Sequence, residues 1–264
     1  MIKRVGITGA AGHVGTILTG GLSAKYVLTL FDIRQTQELT PHGCRFVKID
    51  LSKVEEVNGI FSGLDAVIHL AANASPQAPW ESVLANNIVA TYNVFEEAHR
   101  AGVRKIVFAS TNHVQRGNIM VGSSPVADNL SYIEKNGLRK TTDPPAPDSL
   151  YGVSKLFGED LGRYYSRLFG IQFVALRIGS VSLEQIPIKA IQSDKYVRDH
   201  FLAMFLSKKD LVEVFDKAIQ AQKDCIIAYA VSDNSTRIFD MASTSKELNF
   251  YPADNSADYY NRNT

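Results

Sequence analysis

Short apolar runs alternate with longer amphipathic segments through the first 110 residues of the chain. The apolar runs have the length of β-strands, and the segments between them have helical patterns. This alternation predicts βαβ units with right-handed crossovers and therefore a parallel sheet. The predicted strands are Val5–Thr8, Tyr26–Phe31, Arg45–Ile49, Asp65–Leu70 and Lys105–Ala109, and the predicted helices include one that ends near Leu22 and the long segment Trp80–Ala101.

The pattern changes after Ser110. Residues 112–148 are polar and rich in turn residues, and they are too many for an ordinary connector, so we expect a functional loop. Ser149 is the expected N-cap of a helix that runs to about Phe169. The remaining predicted segments are a strand Ile171–Arg177, an irregular stretch 179–206, a helix Lys208–Gln222 and a strand Cys225–Val231.

Composition and charge narrow the possible partners. The 264 residues are 45% hydrophobic and 21% charged, which is ordinary for a globular protein. The net charge is +1 and the basic residues are scattered, so neither nucleic acid nor an anionic membrane is an expected partner. No apolar run approaches the roughly 20 residues of a membrane-spanning helix, and no signal peptide precedes the first strand. Cys44 and Cys225 lie in apolar runs, so we expect buried free thiols and a cytoplasmic protein.

A glycine-rich turn follows the first predicted strand, with the sequence TGAAGHVG at residues 8–15. Glycines at this place let a pyrophosphate approach the N-terminus of a helix. Asp32 ends the second strand, where a carboxylate accepts both ribose hydroxyls of adenosine and repels a 2′-phosphate. The pattern predicts NAD rather than NADP, although Arg34 could instead bind that phosphate. Asp50 and Leu51 end the third strand, where adenine should lie; a turn-capping role for Asp50 is the alternative.

Tyr151 and Lys155 are four residues apart in one predicted helix, so they project from the same face. A tyrosine phenol has a pKa near 10 in water, and positive charge from a lysine and from nicotinamide favours the phenolate. Tyr151 could then take a hydroxyl proton while a hydride leaves the same carbon. Thr111, at the end of the fifth strand, would share a hydrogen bond with the reacting oxygen.

These motifs in this order resemble the extended short-chain dehydrogenase/reductase family. The motifs are TGAAGHVG, Asp32, DL at 50–51, HLAA at 69–72, NNI at 86–88, AST at 109–111 and YGVSK at 151–155. The resemblance implies an α/β fold: a doubly wound parallel sheet (Rossmann) with a small C-terminal substrate lobe. It places an NAD-binding domain at 1–178 and most of the lobe at 179–264, within a single compact unit, and it implies a homodimer. It also implies that Asn87 steadies Lys155.

The resemblance carries an expected set of cofactor-binding residues. They are Gly9, Ala11, Gly12, His13, Val14, Gly15, Asp32, Ile33, Arg34, Asp50, Leu51, Leu70, Ala71, Ala72, Asn87, Ala109, Tyr151, Lys155 and Ile178.

STNHV at 110–114, YGVSKLFGE at 151–159 and RIGS at 177–180 are similar to uronate dehydrogenases and related NAD-dependent glucose-6-phosphate dehydrogenases. This resemblance implies oxidation of an anionic pyranose at C1 to its lactone, with glucose 6-phosphate ranked before a hexuronate. It implies that Ser75, Asn112, His113 and Ser180 contact the sugar, together with Thr111 and Tyr151. Arg198 is the candidate for the acidic group, and Arg116 and Lys189 are further basic residues near the same mouth.

Two other functions stay open at this stage. A nucleotide-sugar epimerase or dehydratase has the same fold, but Asn112 and His113 stand where such dehydratases place an Asp-Glu pair. A regulator that only senses NAD is disfavoured because Tyr151 and Lys155 are both present. No group of residues has metal-ligand spacing, so no metal is expected. His69 and Trp80 are interpreted as packing residues. Apolar residues on more than one face of helices 80–101 and 149–169, such as Val83, Ile88, Val94, Leu156 and Tyr164, predict a dimer through these helices.

Overall fold

Seven parallel strands form the central sheet in the computed structural model, which describes residues 2–34, 43–118, 120–121, 124–125, 129–181 and 195–258. In chain order the elements are β1 (Arg4–Thr8), α1 (His13–Leu22), β2 (Val27–Asp32), β3 (Arg45–Lys48), α2 (Val54–Val57), β4 (Ala66–His69), α3 (Trp80–Val83), a π-helical turn (Leu84–Val89), α4 (Ala90–Arg100), β5 (Lys105–Thr111), two 3₁₀ turns (Asn112–Val114 and Arg116–Asn118), β6 (Met120–Val121), β7 (Ser124–Pro125), α5 (Asn129–Asn136), α6 (Leu150–Phe169), β8 (Gln172–Ile178), β9 (Ser180–Val181), α7 (Lys195–Met204), β10 (Phe205–Leu206), α8 (Lys208–Gln220), β11 (Cys225–Ala230) and α9 (Ala242–Leu248).

The strand order is β3-β2-β1-β4-β5-β8-β11. The chain therefore winds outward in one direction from β1 to β3 and in the other direction from β4 to β11. The two directions separate between β1 and β4, where Thr8 of β1 is in register with His69 of β4. A cleft forms outside the carboxyl ends of the strands at such a point, and it is where ligands bind in open α/β sheets.

Both faces of the sheet are covered by helices. On one face Leu18 and Leu22 of α1 pack in one apolar cluster with Leu211 and Phe215 of α8. On the other face Val94 and Phe95 of α4 pack with Tyr165 of α6. Every residue of β4 and β5 is buried, which explains why those segments are continuous apolar runs and not alternating ones. The predicted doubly wound fold is confirmed.

The described part of the sequence departs from the predictions in three places. The segment predicted as irregular contains α7 and the short strands β9 and β10. The predicted helix 80–101 is interrupted by the π-helical turn. The loop after Ser110 contains two 3₁₀ turns and α5. The proposed division at residue 178 stays a prediction; α8 and β11 follow it and pack into the sheet layers.

The expected burial of the two cysteine thiols is wrong. Cys225 is exposed and Cys44 is half-buried, although both are free thiols. Cys225 is the first residue of β11, at the edge of the sheet, and Cys44 immediately precedes β3, at the other edge. Positions at strand ends and sheet edges stay accessible even where the run that follows is apolar. None of the described helices is long and apolar enough to cross a membrane.

A buried ion pair joins α6 to the sheet. Arg177 of β8 donates from Nε and Nη2 to the two carboxylate oxygens of Glu159 of α6, at 2.9 and 2.8 Å. Ser110 of β5 donates to the same carboxylate at 2.6 Å. Both charged side chains are almost completely buried. The pair therefore fixes the rotation of α6 and its distance from the carboxyl ends of β5 and β8.

The Glu159→Ala variant should lose about 3–5 kcal/mol of unfolding free energy, because it leaves the Arg177 charge buried without its partner. Asp160→Ala is the matched control, since it removes an exposed ion pair with Arg163 on the same helix and should cost at most about 1 kcal/mol. Urea denaturation of both variants measures the difference. Equal losses would show that the buried pair is not what holds α6.

Candidate active site

The glycine turn between β1 and α1 packs directly against the chain that leaves β4. Gly9 has a φ of 72°, and a Cβ atom there would lie 2.7 Å from the backbone nitrogen of Ala71. A Cβ on Gly15 would lie 2.4 Å from the carbonyl oxygen of Gly9. Both contacts are shorter than atoms tolerate, so only glycine permits this turn. The turn brings the N-terminus of α1 to the separation point of the sheet, where free backbone N–H groups favour an anion.

Asp32 is buried at the carboxyl end of β2 and shapes the same turn. Its two carboxylate oxygens accept hydrogen bonds from the backbone nitrogens of Ala11 and Arg34, each at 2.9 Å. The exposed Arg34 side chain lies over the turn, with Nε 3.7 Å from the Asp32 carboxylate and Nη2 3.3 Å from the carbonyl oxygen of Ala11. The Asp32 carboxylate, which favours NAD, and the Arg34 guanidinium, which favours NADP, are thus neighbours.

Two adjoining clefts lie along the carboxyl edge of the sheet. The first is lined by Gly9, Asp32, Ile33, Arg34, Ile49, Asp50, Leu51, Ser52, Ala71, Ala72, Asn73, Asn86 and Ala90. The second is lined by His13, Val14, Leu70, Ala72, Ala74, Ala109, Ser110, Thr111, Tyr151, Lys155, Ile178, Gly179 and Val181. Ala72 lines both clefts, so together they make one continuous groove, and most of the predicted cofactor residues line it. Asp50 also accepts hydrogen bonds from the backbone nitrogen and hydroxyl of Ser52, so the turn-capping alternative describes it too.

The groove fits a dinucleotide. The glycine turn leaves room for a pyrophosphate at the N-terminus of α1, and the Asp32 carboxylate lines the end where a ribose would lie. Nε2 of His13 is buried in the second cleft and has no hydrogen-bond partner in the described part of the chain, as expected at a site that receives a polar ligand.

Tyr151 and Lys155 lie in the second cleft. Ser149 caps α6 by accepting a hydrogen bond from the backbone nitrogen of Gly152 at 3.1 Å, so Tyr151 falls in the first turn of the helix. The Thr111 hydroxyl lines the same cleft and lowers the pKa of the Tyr151 phenol. Nζ of Lys155 lies 5.9 Å from the centroid of the Tyr151 ring and 4.7 Å from that of Phe108. The structure therefore brings together the three side chains that the sequence predicts.

Burial dominates the electrostatics of this triad. It raises the pKa of Tyr151 to about 12, against the lowering effect of the Thr111 hydrogen bond and with a further rise from the negative charge of Asp148. It lowers the pKa of Lys155 to about 7. The sequence predicts that the ammonium lowers the pKa of the phenol. Desolvation has the larger effect on the pKa of the phenol, because both side chains are buried at the floor of the groove.

Asn87 lies in the π-helical turn and is buried. Its carbonyl oxygen accepts from the backbone nitrogen of Asn73 at 2.8 Å, and its amide donates to the Asn73 carbonyl at 3.0 Å and to the Ser154 hydroxyl at 2.9 Å. Ser154 immediately precedes Lys155. Asn87 thus ties the turn after β4 to the helix that carries the lysine, and π-helical turns are frequent at functional sites.

His69 and Trp80 differ in how well they match their interpretation as packing residues. His69 is fully buried and its ring nitrogens bond the hydroxyls of Thr8 and Thr91 at 2.7 and 3.1 Å, which is a structural arrangement. Burial lowers its pKa to about 3. Trp80 is half exposed, so its interpretation as a core packing residue is wrong.

The predicted sugar-contacting residues fall into two groups. Asn112 and His113 follow Thr111 directly: Asn112 is buried and donates to the carbonyl of Ile178 at 3.1 Å, and the His113 ring packs edge-on against the Tyr151 ring with centroids 5.6 Å apart. Ser75 and Ser180 lie on the segments after β4 and β8 that border the groove, and the backbone nitrogen of Ser75 donates to Asn73 at 3.1 Å.

The basic residues predicted at the mouth of the cleft differ in their contacts. Nη1 of Arg116 lies 3.5 Å from Nδ1 of His113 and 3.4 Å from the Asp148 carboxylate. Arg116 therefore neighbours His113, whose ring packs against the Tyr151 ring. Arg198 on α7 is half-buried, with Nε 3.7 Å from the Asp199 carboxylate. Lys189 lies outside the described residues.

Sequence reasoning missed two residues of this end of the groove. Asp148 is buried between His113, Arg116 and Ser149. His200 on α7 is buried, and its Nδ1 has no hydrogen-bond partner among the described residues. Burial, aided by the charge of Arg116, lowers its pKa to about 3. An acidic residue directly before a helix N-cap was the available signal for Asp148. His200 had none, because α7 itself was not predicted.

A family model covers most of the chain. The model described as the NAD dependent epimerase/dehydratase family matches residues 5–217. The protein belongs to this family. The resemblance to extended short-chain dehydrogenases is thereby confirmed, and so is NAD as the expected cofactor.

Curated relatives match along almost the full length. An L-arabinose 1-dehydrogenase (NAD(P)(+)) of Haloferax volcanii is 36% identical over 97% of this chain and 98% of its own. An NAD-dependent glucose-6-phosphate dehydrogenase of the same organism is 35% identical over 98% and 96%. Among solved structures, a mutant uronate dehydrogenase from Agrobacterium tumefaciens complexed with NAD is 28% identical, with a TM-score of 0.81 over 99% of this chain and 89% of that one.

The Gly15→Ala variant should weaken NAD binding by at least about tenfold, or 1.4 kcal/mol, because its methyl group would force the turn open against the carbonyl of Gly9. Gly20→Ala in the same helix is the matched control, since no atom lies within 4 Å of the added methyl. It should instead stabilise the helix by about 0.5–1 kcal/mol. Calorimetric titration with NAD and thermal melting measure both effects; unchanged NAD affinity in Gly15→Ala would remove the turn from the cofactor site.

Proposed function

We propose that the protein oxidises an anionic pyranose at C1 to its lactone with NAD, glucose 6-phosphate ranking first and a hexuronate second. The full-length similarity to a glucose-6-phosphate dehydrogenase and to a sugar 1-dehydrogenase supports the sugar and the position of oxidation. The observation that carries the proposal is the joining of the Tyr151 phenol, the Thr111 hydroxyl and Lys155 in one buried cleft at the end of the dinucleotide groove. The expected cytoplasmic location stays a prediction.

Tyr151 is the proposed general base. The hydroxyl of Thr111 accepts a hydrogen bond from the backbone nitrogen of His113 at 3.3 Å, which helps to orient it in the cleft that it shares with the phenol. A sugar hydroxyl bound beside this pair loses its proton to the Tyr151 oxygen. NAD bound in the groove supplies the hydride acceptor and a positive nicotinamide ring.

The burial that raises the pKa of Tyr151 also makes it responsive to charge, since interactions are stronger in a dry site. The Lys155 ammonium and the nicotinamide are the positive charges that stabilise the phenolate. The side chains of Tyr151 and Lys155 are both buried. Lys155, with its pKa lowered to about 7, is more fully protonated once a phenolate forms nearby.

The ranking of an anionic sugar rests on charge at the mouth of the cleft. Arg116 places a guanidinium next to His113, which itself touches the Tyr151 ring, and arginine meets a phosphate or carboxylate with paired hydrogen bonds. Arg198 stays a second candidate anchor. A neutral aldose is the competing substrate, and the similarity to the L-arabinose enzyme favours it.

The direct test incubates the purified protein with NAD and glucose 6-phosphate, glucuronate, galacturonate, L-arabinose or glucose, and follows NADH absorbance. We expect kcat/KM to be highest for glucose 6-phosphate and lowest for glucose. Comparable rates with neutral and anionic sugars would reduce the assignment to a general aldose dehydrogenase. No NADH with any of the sugars would overturn it.

The Tyr151→Phe variant keeps the ring and removes only the hydroxyl. NAD binding should survive, while turnover should fall by about 10²–10⁴, the usual contribution of a general base. Tyr165→Phe is the control on the same helix, since it loses a buried hydrogen bond to Glu96 of 2.7 Å but no part of the cleft. Activity of Tyr151→Phe within a few-fold of wild type would exclude this phenol as the base.

Cofactor preference should depend on the charge of Asp32. Asp32→Asn retains an oxygen for the backbone nitrogen of Ala11, but it no longer repels a 2′-phosphate that lies near Arg34. The ratio of kcat/KM for NAD to that for NADP should therefore fall by about tenfold or more, equal to 1.4 kcal/mol. A wild-type enzyme that already uses NADP better than NAD would show that Arg34 outweighs Asp32.

We also propose a two-fold homodimer through α3–α4 and α6. Of the apolar residues that led to this prediction, Val83 and Val94 face the core, whereas Tyr164 is exposed. Large apolar side chains do stand exposed on these helices, which pack side by side: Trp80, Leu84, Val89, Tyr92, Leu150, Val153, Tyr164, Leu168 and Phe169. Patches of this kind mark interfaces, and two copies related by a two-fold axis would form a four-helix bundle.

Light scattering at micromolar concentration should report twice the 29.1 kDa of the chain. The Tyr92→Glu and Val153→Glu variants should shift the species toward the single-chain mass, because each would bury a carboxylate in the interface. A wild-type protein that elutes only at 29.1 kDa would refute the dimer.

A further inference from the structure

The carboxylate of Asp148 is buried at the entrance of α6 and is surrounded by donors. Nδ1 of His113 lies 2.9 Å from each of its oxygens, and the Ser149 hydroxyl donates to Oδ1 at 2.9 Å. Nη1 of Arg116 lies 3.4 Å from Oδ2, and the side chain of Asp148 is only 3% exposed. Burial by itself would raise the pKa of Asp148, but the hydrogen bonds from His113 and Ser149 and the charge of Arg116 outweigh it and lower the pKa.

This arrangement decides which nitrogen of His113 carries a proton. An ionised carboxylate only accepts hydrogen bonds, so Nδ1 must be the donor. In the neutral ring Nε2 is then an acceptor. Within the described part of the chain Nε2 has no hydrogen-bond partner, while the side chain keeps 16% of its surface exposed. The free nitrogen is therefore available to a ligand.

The position of this imidazole is coupled to that of the proposed base. The His113 ring meets the Tyr151 ring at an angle of 70° with centroids 5.6 Å apart. The carbonyl of His113 also lies against the first turn of α6, where a Cβ on Gly152 would come within 2.7 Å of it. A rotation of His113 would thus change the space directly beside the phenol.

We propose that Asp148 is a positioning residue that holds His113 as its Nδ1–H tautomer, so that Nε2 accepts a hydrogen bond from a sugar hydroxyl adjacent to the one oxidised. The proposal rests on the proposed sugar dehydrogenase function. It gives His113 a role as acceptor in substrate binding and assigns Asp148 no contact with substrate or cofactor.

The charges around Asp148 support this division of roles. The groups that face it are His113 and Arg116 from the turns after β5, Ser149 on its own segment, Tyr151 on α6 and His200 on α7. Its negative charge raises the pKa of Tyr151 and so opposes the phenolate. The His113 imidazole is the one group within 2.9 Å of both oxygens of this carboxylate among the described residues.

A double-mutant cycle separates positioning from a merely structural role. Asp148→Ala and His113→Ala should each lower kcat/KM for the sugar by about 10- to 100-fold, as expected for the loss of a buried hydrogen bond. The loss should appear mainly as a higher KM, with NAD affinity unchanged. In the double variant the rise in KM should equal that of His113→Ala alone, because Asp148 acts on sugar binding only through His113. Asp148→Asn should recover part of the activity, since its amide oxygen still accepts from Nδ1.

The control and a second readout keep the test independent of folding and of activity. Ser166→Ala removes a hydrogen bond of 2.8 Å to the Asp224 carbonyl near the other end of α6 and should lower the melting temperature while leaving kcat/KM within a few-fold. Nitrogen-15 NMR of the His113 ring should show a protonated Nδ1 in the wild type. In Asp148→Ala the proton should no longer lie preferentially on Nδ1. Additive losses in the cycle, or an unprotonated Nδ1 in the wild type, would overturn the role of Asp148. An absence of any sugar oxidation by the wild type would instead overturn the proposed function, with the NMR result still reporting how His113 is held.

Discussion

The position of α6 depends on a salt bridge that lies under the active-site end of the sheet. Glu159 receives two hydrogen bonds from Arg177 of β8 and one from Ser110 of β5. Residues 151, 155 and 159 are spaced by one helical turn each, so they lie along one face of α6. The contact that fixes Glu159 therefore also directs Tyr151 and Lys155 toward the groove. Since Ser110 precedes Thr111, the same cluster orients the strand end that supplies the hydroxyl partner of the phenol.

Desolvation is the second determinant of this site. A tyrosine and a lysine placed under the groove floor each favour their neutral form, with pKa values moved to about 12 and about 7. On the proposed mechanism, Tyr151 in this state is inactive as a base at neutral pH until positive charge is placed near it. That mechanism couples proton removal to occupancy of the groove, because the nicotinamide ring provides the charge only when the cofactor is bound. Asp148 acts in the opposite sense, and the neighbouring His113 and Arg116 limit its effect.

Sequence reasoning located those parts of the site that depend on backbone pattern and short spacing. The glycine turn, Asp32 at the end of β2 and the Tyr151–Lys155 pair follow from strand ends and helix periodicity. Sequence reasoning failed where the geometry of the site depends on contacts between residues that are distant in sequence. Asp148 is 35 residues from its partner His113, and His200 lies on α7, a helix in the segment that was predicted to be irregular. The π-helical turn at Asn87 is a change of one hydrogen-bond register that no pattern of apolar residues encodes. Exposure of Cys225 and Trp80 was likewise misjudged, because an apolar run does not reveal which of its residues stand at an edge.

The titration of Tyr151 in the presence and absence of NAD tests the central claim most directly. Phenolate absorbance, taken as the difference between wild type and Tyr151→Phe, isolates this side chain from the other tyrosines. The account predicts a pKa of about 12 for the protein alone and a fall toward neutrality when NAD is bound. A phenol that titrates at the same pH with and without NAD would contradict the account, because the charge of the cofactor would then have no part in making the base.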